Sequence, residues 1–237
     1  MPQALHESGG GSEGGLETIP VHLLESFLRQ LSHDVRNDLN AMELLVSYVE
    51  YEKSDGDVGN ALKQLHDAVR YGARRMLRVS RAVQVPDVEY IPYPVDIFLE
   101  DLRERVETER PELARRLVWE RCDSRDVALV DAGLVLEAFV ELLDNATAFS
   151  SSETSVHVKV ESCDAGAKWT ISQHASECPP GHEGWGRLPL VSTRRSHYGL
   201  GLCWVRRVLK AHRATIVFVY HAAEQKLATE VVFAVQS

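Results

Sequence analysis

The chain has 237 residues, with 26 Lys and Arg against 35 Asp and Glu, for a net charge of −9. That balance excludes a nucleic-acid binder resting on clustered basic side chains, while 44% hydrophobic and 26% charged residues exclude wholesale disorder. The longest apolar stretch, 127–143, is broken by Asp131, Glu137 and Glu141, so no membrane helix is expected.

The start, MPQALHESGG, has no basic segment followed by an apolar block, and no signal peptide is expected. Four scattered cysteines without a CxxC pair suit a reduced compartment, so the expected location is cytoplasmic. Residues 1–20, rich in Gly and Ser, read as a flexible tail with too little apolar surface to offset ordering.

From residue 21, Leu24, Phe27, Leu31, Val35, Leu39, Met42, Val46 and Val49 recur at spacings of three and four, predicting a helix over 21–53. The segment SDGDVGN, 54–60, predicts a turn. Leu62, Leu65, Val69, Gly72, Met76, Val79 and Val83 then give a strict heptad seam, ended by Pro86. Two long helices joined by a turn make an antiparallel hairpin with an apolar stripe. A second copy covering that stripe gives a four-helix bundle and a homodimer; the alternative is packing on the chain's own C-terminal half.

Beyond Pro86, strands are predicted at 88–91, 117–121, 127–130, 155–162, 168–173, 215–221 and 227–235, and helices at 95–109, 132–149 and 200–210. Alternating strands such as VHVKVE beside helices indicate an α+β layer. Between Gln173 and Tyr198 no periodicity is visible, a length that is usually functional or mobile.

In the first helix stands Ser32-His33-Asp34-Val35-Arg36-Asn37-Asp38-Leu39-Asn40. His33 lies roughly 200° around from Leu31 and from Val35, on the outer side, where an imidazole keeps a nucleophilic nitrogen near neutral pH. Asp34 can fix its tautomer or act as a base, and Asn37 follows one turn on, placed to orient a water. These nine residues closely resemble the H-box of histidine kinases, SHExRxPLN. The resemblance implies a phosphoacceptor at His33, an acidic partner at Asp34 and a dephosphorylating role at Asn37; Asp38 replaces the family's helix-kinking proline.

Two further segments fit the resemblance. Glu141-Leu-Leu-Asp-Asn-Ala-Thr-Ala-Phe-Ser150 is similar to the N-box, which places a Mg²⁺-holding asparagine at Asn145. His197-Tyr-Gly-Leu-Gly-Leu-Cys-Trp is similar to the glycine-rich G2 box, with Gly199 and Gly201 admitting phosphate to a helix start. The G1 box is eroded. Gln173 falls at the adenine-reading aspartate, and Ala175 and Glu177 replace its two glycines. Ala148 stands where a basic residue is usual, and His197 and Arg213 stand where glycines are common.

The implied architecture is an α+β chain: a tail over 1–20, a dimerisation and histidine-phosphotransfer hairpin over 21–85, and an α/β-sandwich of the histidine kinase/Hsp90-type ATPase class over 86–237. The leading expectation is a homodimeric histidine phosphotransferase exchanging phosphate on His33 with a response regulator aspartate. It needs no cofactor, with Glu141, Asn145, Gly199 and Gly201 left as a vestigial nucleotide site. An active kinase using Mg-ATP, with Mg²⁺ at Asn145, and a non-catalytic regulator-binding module are the alternatives. No membrane or nucleic-acid partner is expected.

Zinc at Cys178 and His182 is discounted for want of a second pair. Arg70, Arg74, Arg75, Arg78 and Arg81 read as a solvated basic face or a dock for an acidic partner, and Arg187, Arg194 and Arg195 as a phosphate grip or none. Residues 21–84 carry nine acidic and nine basic side chains, so the negative charge resides in the tail (−3) and in residues 85–237 (−6).

Overall fold

The computed structural model describes residues 20–51, 60, 62–69, 72–73, 79, 86–122, 124–150, 154–191 and 198–234. Residues 1–19, most of the 54–60 turn, Met76, Val83, the five arginines between 70 and 81, Arg194, Arg195 and His197 lie outside the described residues.

The first helix, α1, spans Val21–Tyr51, and the last two residues expected in it, 52–53, lie outside the described residues. A second helical stretch, α2, is described at 62–69. A Cβ built on Gly72 would lie 3.7 Å from Met42 Cε and 3.9 Å from Asp38 Oδ2, the approach an antiparallel return makes. The apolar stripe is only partly covered: Phe27, Leu31, Val35 and Met42 are half-buried, while Leu24, Leu39, Val46, Leu62 and Val69 are exposed.

The rest of the chain is a layer of helices on a mixed sheet. The elements are β1 (Ile91–Pro94), α3 (Val95–Glu109), α4 (Pro111–Ala114), β2 (Leu117–Trp119), β3 (Val127–Val130), α5 (Ala132–Phe149), β4 (Val156–Cys163), β5 (Gly166–His174), α6 (Gly201–Ala211), β6 (Thr215–His221) and β7 (Lys226–Phe233). The five-stranded sheet has order β2-β4-β5-β7-β6, parallel only between β2 and β4; β1 and β3 form a separate antiparallel pair.

Strand β4 alternates as its sequence predicts, with Val156, Val158 and Val160 buried and His157 and Lys159 exposed. Helix α3 buries Val95, Phe98, Leu99, Leu102 and Val106 at helical spacing. Its Phe98 meets Phe139 of α5 and Trp169 of β5 edge-on at 5.6 and 5.3 Å, and Phe139 lies 6.1 Å from Phe233 of β7. Burying each large aromatic is worth roughly 2–3 kcal/mol, so this cluster locks α3, α5 and the sheet together.

Helix α5 begins at Asp131, whose carboxylate accepts from Leu134 N–H at 3.0 Å. At its other end Arg116 donates to the Thr147 carbonyl and the Ser150 hydroxyl, placing positive charge at the negative helix terminus. His212, buried after α6, donates from Nδ1 to the Val208 carbonyl and accepts Asp131 N–H at Nε2, so the imidazole ties the start of α5 to the end of α6.

One expected strand is displaced and one short helix is added. The first strand is 91–94, not 88–91: it contains Pro92 and Pro94, and a strand paired only with β3 tolerates the missing amides. The turn of helix α4 was not expected, because four residues opened by Pro111 carry no periodicity. Strand β5, expected at 168–173, runs from Gly166 to His174, and the stretch beyond it includes a 3₁₀ turn at His182–Gly184.

Candidate functional site

On α1, the His33 side chain is 71% exposed and that of Asp34 21%. His33 Nδ1 lies 3.5 Å from Asp34 Oδ1 and 3.2 Å from Asn37 Nδ2, so the turn that carries the three residues brings them together. One ring nitrogen serves both neighbours by tautomer. When Nδ1 bears the proton it donates to Asp34; when Nδ1 bears the lone pair it accepts from the Asn37 amide. Only the first leaves the lone pair on Nε2, which has no hydrogen-bond partner among the described residues.

A fourth residue reaches this site from the far end of the chain. Tyr198 donates its hydroxyl to Asp34 Oδ2 at 2.6 Å, and its ring meets Phe27 edge-on at 5.3 Å. Phe27 and Asp34 are seven residues apart, two turns along one face of α1. Tyr198 immediately precedes Gly199, so the contact sets the glycine segment beside His33. Sequence reasoning missed Tyr198, because nothing local couples positions 164 residues apart.

Gly199 and Gly201 have different reasons to be glycine. Gly199 has φ +64, and a Cβ there would lie 2.2 Å from the Val191 carbonyl oxygen; the chain returns upon itself at this point. Gly201 opens α6, and its Cβ would lie 2.0 Å from Glu141 Oε1. Glu141 and Gly201 are therefore in contact, and Asn145 stands one turn further along α5. No side chain caps α6, whose N-cap residue is Leu200.

Close to Asn145 along α5, aromatic rings pack on one another. Phe149, one turn beyond Asn145, is stacked by Trp185 at 4.9 Å with ring planes 27° apart, and Trp185 also meets Phe218 edge-on at 5.5 Å. Arg206 Nε donates to the Trp185 carbonyl, and its guanidinium lies 5.5 Å from the Phe218 ring centre. Burial, then the nearby Arg187, hold the Arg206 pKa below its usual value. Phe149 and Trp185 were also missed, although Phe149 is four residues from Asn145 and Trp185 is flanked by two glycines in the unpatterned stretch.

Gln173 lies in the strand expected to hold it. It sits in β5, buried, opposite Val156 and Leu227. The residues present do not fit Mg-ATP as arranged. Trp185 covers one face of Phe149, and Glu141 sets a carboxylate at the positive start of α6, where a polyphosphate would need the amides. Cys178 Sγ and His182 Nδ1 are 3.5 Å apart, but among the described residues no group of three or more metal-ligating side chains forms. No helix among the described residues is long and apolar enough to cross a membrane.

Comparison with solved structures places the architecture. The chain superposes on the Acinetobacter baumannii histidine kinase AdeS with TM-score 0.61 at 15% identity, over 86% of this chain and 98% of that one. The chain has a histidine-kinase fold. It also superposes on the histidine kinase ThkA, solved in complex with the response regulator protein TrrA, with TM-score 0.65 at 12% identity over 91% of this chain and 63% of that one. Full-length ShkA, solved with AMPPNP, gives TM-score 0.62 at 18% identity over 93% of this chain and 47% of that one. No family model and no curated protein matches the sequence. The H-box-like helix and the N-box-like helix thus stand in one histidine-kinase fold, with Tyr198 against the first and Gly201 against the second.

Proposed function

We propose that the chain is a histidine phosphotransfer protein of a two-component relay: His33 takes a phosphoryl group from one receiver aspartate and passes it to another. The observation that carries this reading is the His33 cluster, an exposed imidazole whose Nδ1 is engaged by Asp34 and Asn37 while Nε2 has no partner among the described residues. Nε2 attacks phosphorus as the bond to the donor carboxylate breaks, and Asp34 stabilises the imidazolium that results. Asn37, one turn away, orients a water for hydrolysis, which releases the phosphoryl group as inorganic phosphate.

Two considerations support a relay in place of an autokinase. The flat surface beside Asn145 is covered by Trp185, and the start of α6 faces the Glu141 carboxylate. A partner of the receiver class is supported by ThkA, which was solved bound to a response regulator. The uncovered apolar residues on α1 and α2 suit a second copy completing a four-helix bundle, giving a homodimer with a hairpin over 21–85 and an ATPase-like unit over 86–237. A cytoplasmic location belongs to the same reading.

The test uses the full chain with a phosphorylated receiver domain and, separately, with Mg-ATP. The relay reading expects acid-labile phosphate on His33 from the receiver, none from ATP, and none in either case with His33→Ala. Robust labelling by Mg-ATP favours the second reading, an active kinase, for which Asn145 and the Gly199–Gly201 segment speak. Receiver binding that survives His33→Ala, without transfer in the native chain, leaves only a binding module.

A further inference from the structure

We infer that Tyr198 is a positioning residue for phosphoryl transfer at His33, setting the imidazole tautomer through Asp34; the inference rests on the reading of His33 as phosphoacceptor. Asp34 has two oxygens with separate duties. Oδ2 accepts the Tyr198 hydroxyl at 2.6 Å, and Oδ1 lies 3.5 Å from His33 Nδ1. A hydroxyl that holds the far oxygen fixes the rotation of the carboxylate, so the near oxygen stays turned toward the ring. A fixed acceptor at Nδ1 favours the tautomer with the proton there, and the lone pair then resides on the exposed Nε2.

Without the tyrosine, Asn37 competes. Its amide is already 3.2 Å from Nδ1, and donation from that amide favours the opposite tautomer, whose Nε2 carries a hydrogen and cannot attack. The tyrosine ring is itself placed by Phe27, edge-on at 5.3 Å and two turns from Asp34. Tyr198 is therefore gripped at both ends by α1. Because it adjoins Gly199, where the chain folds back against Val191, undocking this segment removes the Tyr198 hydroxyl from Asp34 Oδ2 and weakens the bias of His33 toward its nucleophilic tautomer.

The step balances without a further reagent. With phosphoramidate as donor, its nitrogen already protonated as –NH₃⁺, the Nε2 lone pair forms the N–P bond, the donor's P–N bond breaks, and its electron pair leaves on ammonia. The Nδ1 proton stays on the ring, shared with Asp34, and the product is a phosphorylated imidazolium.

The experiment compares the full chain with Tyr198→Phe, which keeps the ring on Phe27 and removes only the hydroxyl. Ring ¹⁵N shifts, assigned with His33→Gln, should show the proton on Nδ1 in the native chain and redistribution toward Nε2 in the variant. Phosphorylation of His33 by phosphoramidate should slow by about tenfold, the size of one hydrogen bond to a charged group. In an Asp34→Asn background, Tyr198→Phe should have no further effect. Unchanged ring shifts together with an unchanged rate overturn the inference, as does an equal loss in the Asp34→Asn background, which marks a merely structural contact. If the native chain takes no phosphate on His33, the relay reading fails, and the ring shifts still decide the role of Tyr198.

Discussion

The two glycines of the Gly199-Leu200-Gly201 segment should respond oppositely to the same added methyl group. At Gly199 the backbone has φ +64, which costs an L-residue roughly 1–2 kcal/mol. The new Cβ would also lie 2.2 Å from the Val191 oxygen, 2.6 Å from its carbonyl carbon and 2.8 Å from its nitrogen. All three are backbone atoms, so a segment must move, adding about 1–3 kcal/mol. At Gly201 the three nearest atoms belong to one side chain: Glu141 Oε1 at 2.0 Å, Cδ at 2.7 Å and Cγ at 3.1 Å.

A glutamate rotates away at a cost of order 0.5–1.5 kcal/mol, offset by up to about 1 kcal/mol of helix propensity gained from alanine. Gly199→Ala should therefore lose about 2–5 kcal/mol and Gly201→Ala stay within about 1 kcal/mol of the native chain. Urea unfolding followed by tryptophan fluorescence measures both, with a midpoint drop on the order of 1–2 M for Gly199→Ala at a typical slope. Adding Glu141→Ala to Gly201→Ala should recover whatever that single change loses. Equal midpoints for the two alanine variants, or no recovery in the double variant, would refute the reasoning.

Other outcomes follow from single contacts. Arg213 has φ 55 without being glycine, so Arg213→Gly should raise stability by about 0.5–1 kcal/mol in thermal or urea unfolding. His212→Ala removes the acceptor for Asp131 N–H and the tie between α5 and α6, and should cost about 1–3 kcal/mol on the same measurement. Hydrogen bonds from Ser162, then Ser124, hold the Asp126 pKa below its usual value. This stabilisation is complete above the unfolded aspartate's pKa, near 4, and is lost as pH falls through the lower folded value. Ser162→Ala should thus be less stable at neutral pH and converge with the native chain in acid. Asn37→Ala should lengthen the life of a receiver's phosphoaspartate with little effect on transfer, as followed by phosphate release.

Local chemistry made much of the architecture legible. Helices α3 and α5 fall on the residues expected for them, because α3 follows Pro94 directly and α5 starts from the Asp131 cap and carries an uninterrupted apolar face. Strand β6 likewise runs from Thr215 to His221 as its composition indicates. The errors have physical causes. Strand β1 contains prolines only because it is an edge, and α4 is four residues opened by Pro111, too short to show a period.

In the site, His33, Asp34 and Asn37 were legible because one helical turn joins them. Tyr198 was not, since its partner is 164 residues away and only tertiary docking brings them together. Trp185 on Phe149 was hidden for the same reason: stacking between an unpatterned segment and a helix end leaves no periodic trace.

That stack has a thermodynamic consequence. Any flat ligand for the covered face of Phe149 competes with an indole tethered to the same chain, which cannot be diluted away. Its apparent affinity is the intrinsic affinity scaled by the fraction of molecules in which the indole has swung out, so a covering 99% populated weakens binding by about a hundredfold. Affinity for such a ligand would then be set as much by the anchorage of Trp185, through Phe218 and Arg206, as by the residues that touch the ligand.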